Sequence, residues 1–400
     1  MVMNVQGLRE FHHHLGARFI ELNGAEVVND YGDWPAEHAA LRESAGVIDL
    51  SFRGRICLVG ADRARFLHGQ VTNDVKRLRS GEGCYATLTT AKGKMESDLN
   101  IFCLPDELLL DFEPGLTGKI SQRLEKFIVA DDVQIVDAAP HYGLLSVQGP
   151  RAEDVVLALG LVGRDALPRV RADRQVGPTL VKISDATMGE IYLMNHPRLD
   201  WGQQGRAGSP LPAADGAHGV TRPTYSGFDL FVPNPSLGAV ADKLIAAAKQ
   251  IGGRAIGWRA FETARIEAGV PRFGADMDET NIPLECGIEN LAVSYNKGCY
   301  IGQEVINRIH SIGHVNRELR GLRLADPASA GLPLPQHGDK LFQGGREVGY
   351  ITSAVKSPVL NANIALGYVR REANQIGTEL MLRTTAGESS AKIVELPFVK

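Results

Sequence analysis

Two apolar runs, residues 99–104 and 107–112, are separated only by the turn dipeptide Pro105-Asp106. A connection this short joins strands that run antiparallel, because parallel strands need a long crossover. Residues 84–90 form another strand-like run, and a helical pattern over 117–127 follows. This interleaving predicts an α+β fold in which antiparallel sheets are covered by helices on one face.

The last part of the chain repeats short apolar runs with turn residues between them. These runs cover residues 340–342, 347–354, 364–368, 380–383 and 391–394. Short strands at such close spacing predict a small β-barrel as a separate C-terminal domain. Residues 201–222 are rich in Gly, Pro, Ala and Gln, so a mobile loop is expected there.

Composition bounds the class of protein. The 400 residues are 44% hydrophobic and 22% charged, which is typical of a soluble globular chain with two or three domains. The formal net charge is −4 and no long Lys/Arg run occurs, so nucleic acid is not expected as the main partner. Because neither a bilayer-spanning apolar run nor a signal-peptide pattern is visible, we expect no membrane association and a cytoplasmic location.

The cysteines exclude several kinds of site. There are five, at positions 57, 84, 103, 286 and 299, and no pair has C-x-x-C spacing. An odd, scattered set argues against a disulfide framework and a zinc ribbon. An iron–sulfur cluster takes about four cysteine ligands, so Cys299 could contribute one bond to a shared cluster but could not hold one alone. The adjacent residues His12, His13 and His14 point in different directions on a helix, so no metal site is predicted.

Residues 297–304, with the sequence KGCYIGQE, place Cys299 between glycines and just before a predicted helix that ends at Gly313. The helix N-terminus and Lys297 both favour the thiolate, and such settings lower a cysteine pKa from about 8.5 to roughly 3.5–7.5. We therefore predict Cys299 and Lys297 as catalytic residues. The alternative is a small buried hydrophobic residue in a tight turn.

The KGCYIGQE segment resembles the K-G-C-[FY]-x-G-Q-E signature of the YgfZ-type folate-binding proteins. The turn over residues 92–95, KGKM, resembles a second element of that family. The remainder is similar to the wider aminomethyltransferase family, whose main member is the glycine-cleavage T-protein. Four stretches carry this likeness, residues 45–51, 71–75, 274–279 and 396–400. The resemblance spans almost the whole chain.

The resemblance implies an architecture. T-protein-like chains have two mixed α/β lobes around a central folate channel, followed by a C-terminal β-barrel. For this chain it implies a folate-binding region over residues 1–315, with the chain exchanging between lobes near positions 50 and 150. The barrel domain would then cover residues 316–400.

The resemblance also implies tetrahydrofolate as cofactor. Glu267 matches the family position for a carboxylate that accepts two hydrogen bonds from the pterin, and a surface glutamate on a helix is the alternative. Tyr225 resembles a family tyrosine near the cofactor, with a packed core tyrosine as the alternative. Arg272, Arg254 and Arg259 are the candidate cations for the polyglutamate tail.

Asp98 lies where T-proteins carry two adjacent aspartates before a leucine, but here Ser97 replaces the first. A carboxylate there would lie near the folate nitrogen that receives the one-carbon unit, where proton handling needs an acid in a dry site. Asp98 is therefore predicted as both a catalytic and a cofactor-binding residue. Its alternative role is to anchor the turn.

Three functions remain open at this point. The first is a tetrahydrofolate-binding accessory protein that supports iron–sulfur cluster assembly or repair through Cys299, with iron–sulfur proteins as clients. The second is a tetrahydrofolate-dependent aminomethyltransferase of the glycine cleavage system that acts on a lipoyl carrier protein. The third is a binding module in which folate is a structural or sensory ligand. The sequence does not decide whether the protein is an enzyme.

Overall fold

A computed structural model of the chain describes residues 5–168, 178–199, 226–325 and 333–399. The predicted loop at 201–222 and the candidate residue Tyr225 lie outside these residues. The helices of the described part are α1 (Val5–His14), α2 (Trp34–Glu43), α3 (Arg63–Gln70), α4 (Thr117–Glu125), α5 (Ala152–Leu157), α6 (Leu237–Gln250), α7 (Trp258–Glu267), α8 (Glu289–Ala292) and α9 (Gln303–Ile312). None of them is long and apolar enough to cross a membrane.

The strands within the same ranges form two open sheets, a hairpin and a barrel. They are β1 (Arg18–Leu22), β2 (Ala25–Asp30), β3 (Gly46–Asp49), β4 (Gly54–Val59), β5 (Gly83–Thr89), β6 (Met95–Cys103), β7 (Glu107–Phe112), β8 (Gln134–Asp137), β9 (Tyr142–Gly149), β10 (Leu180–Asp185), β11 (Gly189–Asn195), β12 (Ser226–Pro233), β13 (Arg254–Ala255), β14 (Arg317–Leu324), β15 (Lys340–Gln343), β16 (Arg346–Ser357), β17 (Ala362–Arg370), β18 (Glu379–Thr384) and β19 (Gly387–Val394).

The first sheet has the strand order β10-β11-β12-β9-β3-β13 and the second sheet has the order β5-β6-β7-β4-β8. The chain leaves the first sheet after β3, builds the whole second sheet, and returns to the first sheet with β9. Among the described strands only β13 and β3 pair in parallel. The predicted α+β class with antiparallel sheets is confirmed.

Three hydrophobic cores arrange these elements in layers. Helices α5 and α6 cover one face of the first sheet, through residues such as Val156 and Leu244. Helices α3 and α4 cover one face of the second sheet, through residues such as Leu67 and Leu124. The other faces of the two sheets meet in a shared core that also contains Trp258 of α7. Polar side chains on these inner faces therefore lie deep inside the molecule.

The C-terminal barrel is confirmed as a closed barrel of six strands in the order β14-β17-β16-β15-β18-β19. Sequence analysis predicts five of these strands and misses β14. Arginines occupy positions 317, 320 and 323 of that strand, so its pattern is less apolar than those of its neighbours. Leu322 and Leu324 nevertheless point into the barrel, and Leu319, on the opposite face of the strand, packs against the core that contains Met95 and Ile266.

Strand β6 begins at Met95, four residues before the predicted start at residue 99. The added residues alternate between buried and half-buried positions, and the half-buried ones are polar. A polar residue on every second position hides a strand from an analysis that seeks apolar runs. Asp98, one of these polar residues, forms part of the candidate site.

Candidate functional site

Strand β6 separates its side chains onto two faces. Ser97, Leu99 and Ile101 are fully buried, and the two apolar residues belong to the core beneath α3 and α4. Asp98 and Asn100 are half-buried and point to the opposite face, since successive residues of a strand alternate. Asp98 therefore faces the interior between the sheets, and the position taken by Ser97 does not.

Asp98 is held at one oxygen and open at the other. The hydroxyl of Tyr85, on β5, donates a hydrogen bond of 2.8 Å to Oδ2 of Asp98. Oδ1 is shielded from solvent but has no hydrogen-bond partner among the residues that the structure describes. Burial and then the charge of Glu113 raise the pKa of Asp98 to about 6. A carboxyl group in this state can donate or accept a proton at Oδ1 near neutral pH.

An ionic network surrounds this carboxyl group. Arg53 donates to Asp111 at 2.7 Å and also contacts Glu113, and Arg198 donates to Asp111 at 3.1 Å. Arg198 in turn pairs with Asp229, on β12 of the first sheet, at 2.7 Å. Burial alone would raise the pKa of Asp111, but Arg53 and Arg198 together hold it far below its usual value. The network thus joins the two sheets through charges that stay ionised.

Arg272 extends this ionic network. Its guanidinium pairs with Glu113 at 2.9 Å and lies 3.5 Å from Glu262. It also stands 5.2 Å from the ring centroid of Trp258, which packs edge to face against Phe52 at 5.6 Å. Because Arg272 already contacts two carboxylates, a ligand's tail that bound there would compete with these ion pairs. We call Asp98, Tyr85, Glu113, Arg53 and Arg272 the polar centre.

Cys299 lies elsewhere, on a loop at the protein surface. It is exposed, whereas Cys57, Cys84 and Cys286 are buried and Cys103 is half-buried. Helix α9 begins at Gln303 and ends before Gly313, as predicted. The alternative of a buried small hydrophobic residue is therefore wrong for Cys299.

The side chain of Lys297, expected to favour the Cys299 thiolate by its charge, is bonded to backbone carbonyl groups. Its ammonium is buried and donates to the backbone carbonyls of His68, Val71 and Asn73, at 2.5, 2.6 and 2.9 Å. Burial lowers the pKa of Lys297 to about 8. An ammonium whose donors are used by three carbonyls is not available to pair with the Cys299 thiolate. Lys297 instead fastens the Cys299 loop to the turn that follows α3.

The two segments that resemble the YgfZ signature pack against each other. Gly302 and Gly93 both have positive φ, and a Cβ on Gly302 would lie 3.1 Å from Cα of Gly93. A Cβ on Gly93 would meet Val305 at 3.3 Å. The hydroxyl of Thr89 donates to the carbonyl of Ile301 at 2.6 Å. Close backbone approach explains why glycine stands at both positions.

Replacing Lys297 by methionine tests this anchoring role. The variant keeps the aliphatic stem but leaves three buried carbonyl groups without their donor, so we expect a loss of about 2 kcal/mol in the free energy of unfolding. Urea unfolding measures the change. The surface variant Lys92→Met, in the adjoining turn, should change stability by less than about 0.5 kcal/mol. Equal stabilities for the two variants would contradict an anchoring role.

Glu267 requires a correction. Its side chain is fully buried, Oε2 lies 2.9 Å from Nε2 of His38, and Oε1 accepts a hydrogen bond from Ser357 in the barrel. Its backbone carbonyl accepts the N–H of Phe398 at 2.9 Å. The carboxylate is therefore already bonded at both oxygens and has no exposed surface at which a pterin could contact it. The geometry gives Glu267 a structural role that ties α2, α7 and the barrel together.

The candidate cations do not share one environment. Arg259 is exposed and its guanidinium lies 4.3 Å from the ring centroid of Trp34. Arg254 is half-buried on β13 near Glu37, and burial raises the pKa of that carboxyl group although the charge of Arg254 opposes the shift. Arg272 belongs to the polar centre. Which of them, if any, binds a folate tail stays a prediction.

Sequence analysis finds Asp98 but misses Tyr85, Glu113 and Arg53. These residues come from three other segments of the chain, and only sheet pairing brings them to Asp98. The available signal was the alternation of polar and apolar residues in β6. Across the described residues, no three His, Cys, Asp or Glu side chains are placed to hold a metal ion.

Comparison with known proteins adds a family relationship. Residues 8–175 and 217–297 match the profile described as the GCVT N-terminal domain. Residues 317–400 match the glycine cleavage T-protein C-terminal barrel domain. These two matches together account for most of the chain.

Similar proteins cover nearly the full length. An aminomethyltransferase of Listeria monocytogenes serotype 4b is 27% identical over 390 residues, which is 96% of this chain and 95% of the relative. An aminomethyltransferase of Clostridium botulinum is 27% identical over 99% of this chain and 97% of its own. The crystal structure of glycine cleavage system aminomethyltransferase T from Bartonella henselae superposes with a TM-score of 0.78. It is 23% identical and the match covers 98% of this chain and 97% of that chain, which establishes a shared fold.

Proposed function

Because this chain belongs to the glycine-cleavage T-protein family, we propose that it binds tetrahydrofolate at the polar centre. The observation that supports this is Oδ1 of Asp98, a buried carboxyl oxygen that has no partner within the described ranges of the chain. A buried acceptor left open is costly unless a ligand supplies a donor. Reduced folate offers ring N–H groups and, when bound, carries the one-carbon unit on nitrogen.

Each residue of the polar centre then has a task. Tyr85 fixes the orientation of Asp98 through Oδ2, so that Oδ1 points to the ligand. Glu113, held between Arg53 and Arg272, favours the protonated form of Asp98 through its negative charge. Asp98 can thus hold a proton at Oδ1 and exchange it with a nitrogen of the ligand at neutral pH. Trp258 and Phe52 offer an aromatic wall nearby.

We further propose that the protein is a folate-dependent accessory factor for iron–sulfur proteins, of the YgfZ type. This proposal depends on Cys299, the one exposed thiol among the five cysteines. Its loop is fixed by Lys297 and by the turn at residues 92–95, so the thiol is presented outward from a defined position. There it is accessible to a cluster, a sulfur species or a client protein, whereas folate would occupy the interior.

Replacing Cys299 by serine tests the accessory role. In cells that depend on this protein, the variant should reduce the activity of cluster-dependent enzymes to the level found without the protein. The half-buried Cys103→Ser is the matched control and should retain the wild-type level. If the Cys299→Ser variant supports those enzymes fully while accumulating normally, the accessory role through this thiol is wrong.

The second candidate is aminomethyl transfer, from a lipoyl carrier protein to tetrahydrofolate with release of ammonia. The specific observation in its favour is that Asp98 faces the polar centre and Ser97 does not. The serine that stands at position 97 in place of the T-protein aspartate therefore removes no carboxylate from the polar centre. Purified protein supplied with lipoyl carrier, formaldehyde, ammonia and reduced folate tests this candidate. Steady turnover that disappears in Asp98→Asn would favour it over the accessory role.

For both candidates we propose the same division of the chain. Residues 1–315 form the folate-binding region, whose lobes exchange near positions 50 and 150, and residues 316–400 form the barrel domain. Reduced folate is the proposed ligand in either case. The partners would be iron–sulfur proteins for the first candidate and a lipoyl carrier protein for the second.

A further inference from the structure

A separate cavity of about 250 Å³ lies between helices α1 and α6, near β2 and β13. Its apolar lining is Leu15, Ile245 and Ala255. Its polar lining includes groups of both charges, namely Tyr31, Glu37, Lys249 and Arg254. These residues are distinct from those of the polar centre and from the Cys299 loop.

Glu37 and Tyr31 supply hydrogen-bond acceptors to the lining of this cavity. Glu37 is buried, and its two oxygens accept the backbone N–H groups of Tyr31 at 2.7 Å and Gly257 at 2.8 Å. Each carboxylate oxygen has a second lone pair that these bonds leave available. The backbone bonds fix the carboxylate of Glu37 in one position.

The hydroxyl of Tyr31 is also fixed. It lies 2.9 Å from Nδ1 of His12, and Nε2 of His12 lies 3.0 Å from Oδ2 of Asp49. When Nε2–H donates to Asp49, Nδ1 accepts the hydroxyl proton of Tyr31. The Tyr31 oxygen then remains an acceptor.

Arg254 and Lys249 supply positive charge to the same lining. Arg254 is half-buried on β13 and forms no ion pair within the described part of the chain. Lys249 is exposed in the last turn of α6. The Arg254 guanidinium suits a carboxylate because it can donate two parallel hydrogen bonds.

We propose that this cavity binds a free α-amino acid with a small apolar side chain. The ligand's carboxylate pairs with Arg254 and Lys249, its ammonium donates to Glu37 and Tyr31, and its side chain contacts Leu15, Ile245 and Ala255. A simple anion would be repelled by Glu37, and a simple amine would be repelled by the two cations. A zwitterion matches both signs of charge in the lining. This inference does not depend on folate binding.

Calorimetric titration of the full-length protein with L-valine tests the proposal. Isovalerate, which lacks the ammonium, and isobutylamine, which lacks the carboxylate, are the matched analogues. Valine should bind saturably, and each analogue should bind at least about tenfold more weakly because one charged pair is lost. Equal binding of an analogue, or no saturable binding of valine, would overturn the proposal.

Variants locate the site. Arg254→Gln should weaken valine binding by about tenfold or more, and the exposed Lys249→Gln should weaken it by a smaller factor. Arg346→Gln, on the barrel, is the matched control and should bind as the wild type does. Lys249→Gln keeps the test valid if Arg254→Gln fails to fold. Unchanged affinity in whichever of these two variants folds would place valine elsewhere and contradict the inference.

Discussion

Replacing Asp111 by alanine is expected to lower the free energy of unfolding by about 3–5 kcal/mol. Asp111 is fully buried and accepts hydrogen bonds from Arg53 at 2.7 Å, Arg198 at 3.1 Å and Asn100 at 3.0 Å. Its removal leaves two buried guanidinium groups without their shared carboxylate. Glu113 and Asp229 compensate only in part, because each is already fully engaged in its own pair.

Urea unfolding at pH 7 measures this change, with the exposed turn residue Asp106→Ala as control. The control should differ from the wild type by less than about 0.5 kcal/mol. The folded pKa of Asp111 lies below its unfolded value. Its stabilising contribution is therefore present above the unfolded pKa and decreases as pH falls toward the folded pKa. A loss at pH 7 no greater than that of the control would show that the network does not join the sheets.

Replacing Asp98 by asparagine is expected to have the opposite effect on stability. The folded pKa of Asp98 is raised to about 6 from its ordinary value of 3.8, chiefly by burial. At pH 7 the wild type must keep a poorly solvated carboxylate ionised, so the neutral variant should be more stable by about 3 kcal/mol. The stability that the variant gains is stability that the wild type gives up in order to keep a carboxyl group in the proposed site, where its chemistry needs it.

The pH dependence identifies the cause. Because its folded pKa is raised, Asp98 contributes most to the free energy of unfolding when it is protonated. This stabilising contribution is fully present below about pH 4 and is lost as pH rises through about 6. The stability difference between wild type and Asp98→Asn should therefore be near zero at pH 4 and grow up to pH 7. Asp106→Asn should show no such trend. A difference that is constant across this range would contradict the assigned environment.

The same variant affects activity. If Asp98 handles a proton in folate-dependent transfer, Asp98→Asn should lower the rate by about 10²–10⁴-fold. The variant should be more stable and less active at once, which a purely structural role for Asp98 does not produce.

The T-protein-like fold, with α/β lobes and a C-terminal barrel, was predictable and is confirmed. The short turn at Pro105-Asp106 determines an antiparallel pair, and the closely spaced apolar runs indicate the barrel. Strand β14 was missed because charged residues interrupt it at positions 317, 318, 320 and 323, and the start of β6 was missed because residues 96–98 are polar. In β6 one of these polar residues, Asp98, faces the interior and belongs to the site, whereas Glu96 pairs with Arg123 of α4.

Sequence analysis could predict only those site residues that a local motif identifies. Asp98 could be identified from its motif, but its partners Tyr85, Glu113 and Arg53 come from other segments. Lys297 is two residues from Cys299, yet its side chain turns to the carbonyls after α3, because spacing along a loop does not determine direction. The position of Glu267 matched a family carboxylate, but its bonds to His38 and Ser357 depend on distant segments.

The central claim is that reduced folate binds at Asp98 in the polar centre. Isothermal titration with tetrahydrofolate should be compared for wild type, Asp98→Ala and Ser97→Ala, two changes on opposite faces of one strand. We expect saturable binding to the wild type, similar affinity for Ser97→Ala, and about tenfold or weaker binding for Asp98→Ala. Absence of saturable binding to the wild type, or wild-type affinity in Asp98→Ala, would contradict the account.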